Sequence, residues 1–165
     1  MARALIVGCG CRGRALGAEL LERGWAVRGT TRAERRAEAI AAAGIEPAIA
    51  DPDRPGTLLG LVGDVALLCW LLGSARGEPE SVEAIHGPRL EGLLEKLVDS
   101  PVRAVVYEAA GSVPRHCLAS GAEILRGASE RWRIPVALVE ADPADHDAWL
   151  GAAADACTTV LRTED

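Results

Sequence analysis

Arg3-Ala-Leu-Ile-Val-Gly-Cys-Gly-Cys-Arg-Gly-Arg-Ala-Leu-Gly17 decides the fold. Residues 4–7 are a short apolar run that ends on a β-branched side chain and stops at Gly8, the pattern of a strand buried on both faces of a parallel sheet. Gly8, Gly10 and Gly13 then give G-x-G-x-x-G at a strand-to-helix junction. The first glycine allows a tight turn, the second a close approach of backbone to a pyrophosphate, and the third close packing of helix on strand. Free N–H groups at the start of the helix, together with its dipole, favour phosphate there.

Working outward, residues 12–23 read as a helix with Ala15, Leu16, Leu20 and Leu21 on one face. Gly17 and Ala18 keep it thin enough to lie close to the sheet, and Gly24 stops it. The next strand is expected over 25–28. A carboxylate about 20 residues past the glycine motif would bind the ribose hydroxyls of NAD. Here Gly29, Thr30, Thr31 and Arg32 stand in that region, and the nearest acid, Glu34, falls in the next predicted helix. A guanidinium forks onto a 2′-phosphate, so the spacing points to NADP first and NAD second. Cys9, Cys11 and Arg12 belong to the same phosphate-facing loop.

The rest of the chain alternates. Helices are expected over 32–43, 55–61, 81–98 (with Pro88 moving the start toward Gly87), 115–132 and from 142–143 to about 161. Strands are expected over 45–50, 65–72, 102–107 and 134–139. Residues 162–165 are expected to fray. No linker, repeat or low-complexity tract divides the chain. The expectation is one α/β domain over 1–165, a doubly wound parallel sheet of strand order 3-2-1-4-5-6.

Bulk properties narrow the class. The chain has 165 residues, 49% hydrophobic and 25% charged, a balance that suits a single globular core. Its net charge of −6 argues against nucleic acid or an anionic membrane as the main partner. The apolar run 65–72 is far short of a membrane span. The first strand begins too early for a signal peptide, and five cysteines without framework spacing suit reduced thiols, so a cytoplasmic location is expected.

The glycine spacing, Thr30-Thr31-Arg32 and Asp51 after the third strand resemble the extended short-chain dehydrogenase/reductase superfamily. They resemble most its NAD-dependent epimerase/dehydratase-like and atypical members. The run Val102-Arg-Ala-Val-Val-Tyr-Glu-Ala-Ala-Gly-Ser-Val113 is similar to that superfamily's fifth strand and its serine-rich turn. The likeness extends to about Pro143. It implies that Asp51 touches the adenine amino group; the residue also reads as a turn former before Pro52. Trp70 and Leu71, at the end of the fourth strand, join the cofactor-facing set, while Trp70 and Trp132 also read as core or interface aromatics.

The resemblance implies a Tyr-x-x-x-Lys pair and a Ser for catalysis, with the tyrosine passing a proton as hydride moves. This chain has one tyrosine, Tyr107, and one lysine, Lys96, eleven residues earlier on another element. Matching through Glu123 and Ile134-Pro-Val puts Arg115 at the tyrosine position, Ala119 at the lysine position and Ala110 at the serine position, with Ser112 nearby. The resemblance also implies a C-terminal substrate domain, for which the residues after the sixth strand supply one helix.

Other candidates stay open between two readings. Glu108 is a proton donor if desolvated, or an exposed turn carboxylate. His116 brackets the same turn; His86, His116 and His146 lack metal spacing and read as surface or capping residues. Cys9 and Cys11 are redox-sensitive thiols at a helix start, or small fillers of the turn. Leu90, Leu93, Leu94 and Leu97 on the helix 87–98 exceed the stripe needed to cover one sheet face. With Leu118, Ile124, Leu125 and Trp132 on the helix after it, they suggest a C2 homodimer through these two helices, as the resemblance also implies. Three functions compete: a catalytically degenerate NADP-binding module for sensing or partner control, an oxidoreductase with Glu108 or His116 as an unusual donor, and a structural remnant without nucleotide.

Overall fold

A computed structural model describes residues 1–162; residues 163–165 of the tail expected to fray lie outside the described residues. The elements run β1 (Arg3–Val7), α1 (Cys11–Glu22), β2 (Ala26–Thr31), a 3₁₀ turn (Glu34–Arg36) leading into α2 (Ala37–Ala42), β3 (Glu46–Ile49), α3 (Gly56–Leu59) and β4 (Leu67–Trp70). Then come α4 (Pro79–Ile85), α5 (Pro88–Leu97), β5 (Ala104–Glu108), α6 (Arg115–Trp132), β6 (Val136–Val139) and α7 (His146–Val160). Six parallel strands lie in the order β3-β2-β1-β4-β5-β6, as the alternation of strands and helices implied.

Period-two alternation sends side chains to two cores. Leu5, Val7, Leu68, Trp70, Val105 and Tyr107 face α5 and α6, while Ala4, Ile6, Leu67, Cys69, Ala104 and Val106 face α1 and α7. Helix α1 lies close to the sheet because its contact positions are small. A Cβ on Gly13 would come within 2.9 Å of the Gly8 carbonyl oxygen, and one on Gly17 would run into Ile45. Arg28 on β2 holds Asp64 at 2.8 Å, and with Arg3 on β1, also bonded to Asp64, it clasps the approach to β4. The Arg28 hydrogen bond pulls the Asp64 carboxyl down to about 2.

Three expectations need correction. Strand β2 runs to Thr31, three residues beyond its expected end, so Thr30 and Thr31 are strand residues and the following helix starts late, through a 3₁₀ turn. Gly29 lies inside this strand, and a Cβ there would sit 2.5 Å from the Cys9 sulfur, so the glycine makes room for packing. The single helix expected over 81–98 is two. Pro79 opens α4 and Pro88 opens α5, with His86 and Gly87 between them, because a proline lacks the N–H that would continue the first helix.

The third correction concerns the apolar helices. Leu90, Leu93, Leu94 and Leu97 are all buried within the one chain, together with Leu118 and Leu125. α5 is wedged between the sheet, α4 and α6, so it uses a wider apolar face than a helix lying on a sheet alone. The surplus stripe behind the homodimer expectation is therefore occupied internally, and only Ile124 and Trp132 of that set remain partly outside. Among the described residues no helix is long and apolar enough to cross a membrane.

Candidate functional site

The carboxyl ends of β1–β4 open into a cleft of about 420 Å³ at the point where the strand order reverses, the usual ligand position in such sheets. Gly8, Cys9, Gly10, Cys11, Arg12 and Gly13 line it from the β1–α1 turn. Gly8 has φ +88°, and a Cβ there would lie 2.5 Å from the Leu71 carbonyl oxygen, so this turn needs glycine for its own geometry. Gly10 is different. Its φ is −83°, open to any residue, and a Cβ there would meet no atom within 4 Å. No atom of the chain crowds position 10, so the space its missing side chain leaves is open toward the cleft.

Helix α1 begins at Cys11 with no side-chain cap and no acid in its first turn. Its leading N–H groups face the cleft without the partner that a Ser, Thr, Asp or Asn cap would provide, which suits an anion. Cys9 and Cys11 part company. Cys9 is buried over Gly29, and burial pushes its thiol up to about 11, so it fills the turn; Cys11 is exposed.

At the β2 end, Thr30 is buried and the Thr31 hydroxyl accepts the Ala33 N–H at 3.2 Å, shaping the turn that presents Arg32. Arg32 reaches the Arg76 carbonyl oxygen at 3.4 Å across the mouth of the cleft. Arg36 and Arg76 line it as well. Among the described residues none of these three arginines has a carboxylate within ion-pair distance. Asp51 lines the cleft, and its Oδ1 accepts the Asp53 N–H at 2.9 Å, the bond of a turn former.

Leu71 lines the cleft and Trp70 does not. The Trp70 side chain is buried in the core and its indole N–H donates to the Ile85 carbonyl at 3.1 Å, because residue 70 points to the opposite face from its neighbours in β4. Ser112 and His116 are exposed and outside the lining residues. Glu108 is inside them and fully buried, which overturns the exposed-turn reading. Its Oε1 accepts the Gly73 N–H at 2.7 Å, and Arg12 approaches both oxygens at 3.4 and 3.5 Å. The Arg12 guanidinium also lies 5.6 Å from the Trp149 ring centre, a cation–π arrangement that holds it across the floor.

His86 overturns the surface expectation too. It is buried at the end of α4, with Nε2 2.9 Å from the Leu72 carbonyl and Nδ1 2.6 Å from the Tyr107 hydroxyl. Burial lowers its pKa below the ordinary imidazole value and raises that of Tyr107. With the Trp70–Ile85 bond, this pins the end of α4 beside the cleft, where Ser81, Val82 and Ile85 form one wall. Sequence reasoning missed that wall, together with Ser74, Arg76 and Arg36. The available signal was the stretch Gly73-Ser-Ala-Arg-Gly77 directly after the most apolar strand, at the switch point.

No family model and no curated protein matches the sequence. Solved structures share the fold. Vestitone reductase from alfalfa (Medicago sativa) is 19% identical, with a TM-score of 0.66 covering 84% of this chain and 56% of that one. The Citrobacter sp. triphenylmethane reductase complexed with NADP(H) is 16% identical, TM-score 0.63, covering 83% and 48%. UDP-glucuronic acid 4-epimerase from Bacillus cereus in complex with NAD is 13% identical, TM-score 0.66, covering 82% and 54%. The chain spans about half the length of these structures. The likeness is one of fold: a doubly wound parallel sheet that this chain shares with two reductases and a UDP-glucuronic acid epimerase.

Proposed function

We propose that this chain binds a nicotinamide adenine dinucleotide in the cleft, NADP(H) ahead of NAD(H), and that it serves as a sensing or partner-controlling module. The observation that carries the reading is Gly10, whose missing side chain leaves open space toward the cleft at the start of α1, a helix with no side-chain cap. Two of the solved neighbours are complexes, one with NADP(H) and one with NAD, which supports the dinucleotide class. Arg32, Arg36 and Arg76 beside the second strand's end favour the 2′-phosphorylated form.

The degenerate reading rests on the inventory of proton donors. The resemblance's tyrosine, lysine and serine positions hold Arg115, Ala119 and Ala110, and the one tyrosine is buried against His86. Lys96 is exposed on α5. A second reading, an oxidoreductase using Glu108, draws on the burial of that carboxylate at the cleft floor.

Thermal-shift titration with NADPH, NADH and FAD tests the function. NADPH should raise the midpoint most, NADH less and FAD not at all. A protein indifferent to all three has no nucleotide function.

A further inference from the structure

The cleft is lopsided. A sheet of this order contains two mononucleotide-binding halves, β1–β3 and β4–β6, which meet where the order reverses. The glycine turn, the end of β2 and residues 50–53 line the open volume from the first half. The second half contributes the β4–α4 connection, one wall of α4 and Glu108; among the described residues, none from 109 onward lines the cleft.

Three hydrogen bonds close the second half. The Gly73 N–H donates to Glu108 Oε1 at 2.7 Å, the Val113 N–H to the Gly73 carbonyl at 3.0 Å, and the Ser112 N–H to Ser74 Oγ at 3.2 Å. They stitch the β4–α4 connection to the β5–α6 connection over the ends of both strands. Backbone packs directly on backbone there: Gly111, at φ +149°, has no room for a Cβ against Gly73. Behind the stitch, Val113, Cys117 and Leu118 form a small buried cluster with Ala75 and Val82. From the other side Arg12 crosses to Glu108 above Trp149.

Resting on the nucleotide reading above, we propose that the site recognises the 2′-phosphorylated adenosine diphosphate half of the ligand and gives the nicotinamide half no pocket. The ligand class is then a 2′-phosphoadenine nucleotide, bound alike whether its nicotinamide is oxidised, reduced or missing. The protein would read the size of a nucleotide pool and be blind to its redox state.

Isothermal titration of the chain with NADPH, NADP⁺, 2′-phospho-ADP and nicotinamide mononucleotide tests this. The first three should bind within about threefold of one another, and the mononucleotide should neither bind nor compete. NADPH binding about tenfold or more tighter than 2′-phospho-ADP, a comparable gap between NADPH and NADP⁺, or competition by the mononucleotide would overturn the inference and leave nucleotide binding standing. If none of the four binds, the nucleotide function falls and takes the inference with it.

Discussion

The Nδ1 of His86 lies 2.6 Å from the hydroxyl of Tyr107, and the roles in that bond are fixed by the other side of the ring. Nε2 faces the Leu72 carbonyl, which can only accept, so Nε2 carries the proton and Nδ1 accepts from Tyr107. The chain's only tyrosine spends its proton inside the core. Replacing Tyr107 with Phe leaves a buried imidazole nitrogen unpaired, at a cost of about 1–3 kcal/mol in urea denaturation. An unchanged midpoint would mean the bond contributes nothing.

The same histidine sets a pH dependence. Burial lowers its pKa below 6.5, so beneath that pH the unfolded chain takes up a proton that the folded chain resists. Stability should fall as pH drops through that window, while this group contributes no pH dependence above it. Urea midpoints at about pH 7.5 and about pH 5.5 should differ in the wild type and converge in His86→Gln. Equal slopes in the two proteins would remove His86 as the cause.

Arg32 is the cation that sequence spacing assigns to the 2′-phosphate. One charge-assisted contact is worth about 1.5–3 kcal/mol, which is roughly a ten- to hundredfold preference for NADPH over NADH. Arg32→Ala should lose most of that preference and leave NADH affinity nearly unchanged. Because the side chain is exposed, the preference should also shrink as salt rises. Equal wild-type affinity for the two cofactors contradicts this assignment.

Carbonyl reduction of the usual kind should be negligible. A positioned proton donor contributes about 10²–10⁴-fold. Both oxygens of Glu108, the one candidate at the cleft, already face N–H donors of Gly73 and Arg12. Glu108→Gln keeps an acceptor for the Gly73 N–H but turns an N–H toward Arg12, so its melting temperature, measured beside turnover, separates chemistry from folding. NADPH-dependent turnover of an aldehyde and ketone panel, abolished by Glu108→Gln, would install the oxidoreductase reading.

Local signals carry the architecture. A glycine run after a β-branched strand, and strands alternating with helices, are enough for the six-stranded order and for the glycine-turn and β2-end residues of the cleft. What escapes depends on partners distant in sequence. Glu108 reads as a turn residue until Arg12 and Gly73 close over it. His86 reads as a surface residue until Tyr107 meets it across the core. The strand expected to end at residue 28 runs on through Gly29, and nothing local reveals the Cys9 sulfur packed above that glycine. The leucines of α5 read as surplus because one helix's sequence does not show how many neighbours surround it.

Gly10→Val bears most directly on whether the glycine turn is a ligand site. The added side chain enters open space but replaces the glycine N-cap of α1 with a poor capping residue, so the melting temperature should fall by only a few degrees, while NADPH binding by titration calorimetry should disappear. A folded Gly10→Val protein that binds NADPH as tightly as the wild type would make the G-x-G-x-x-G stretch a turn and nothing more.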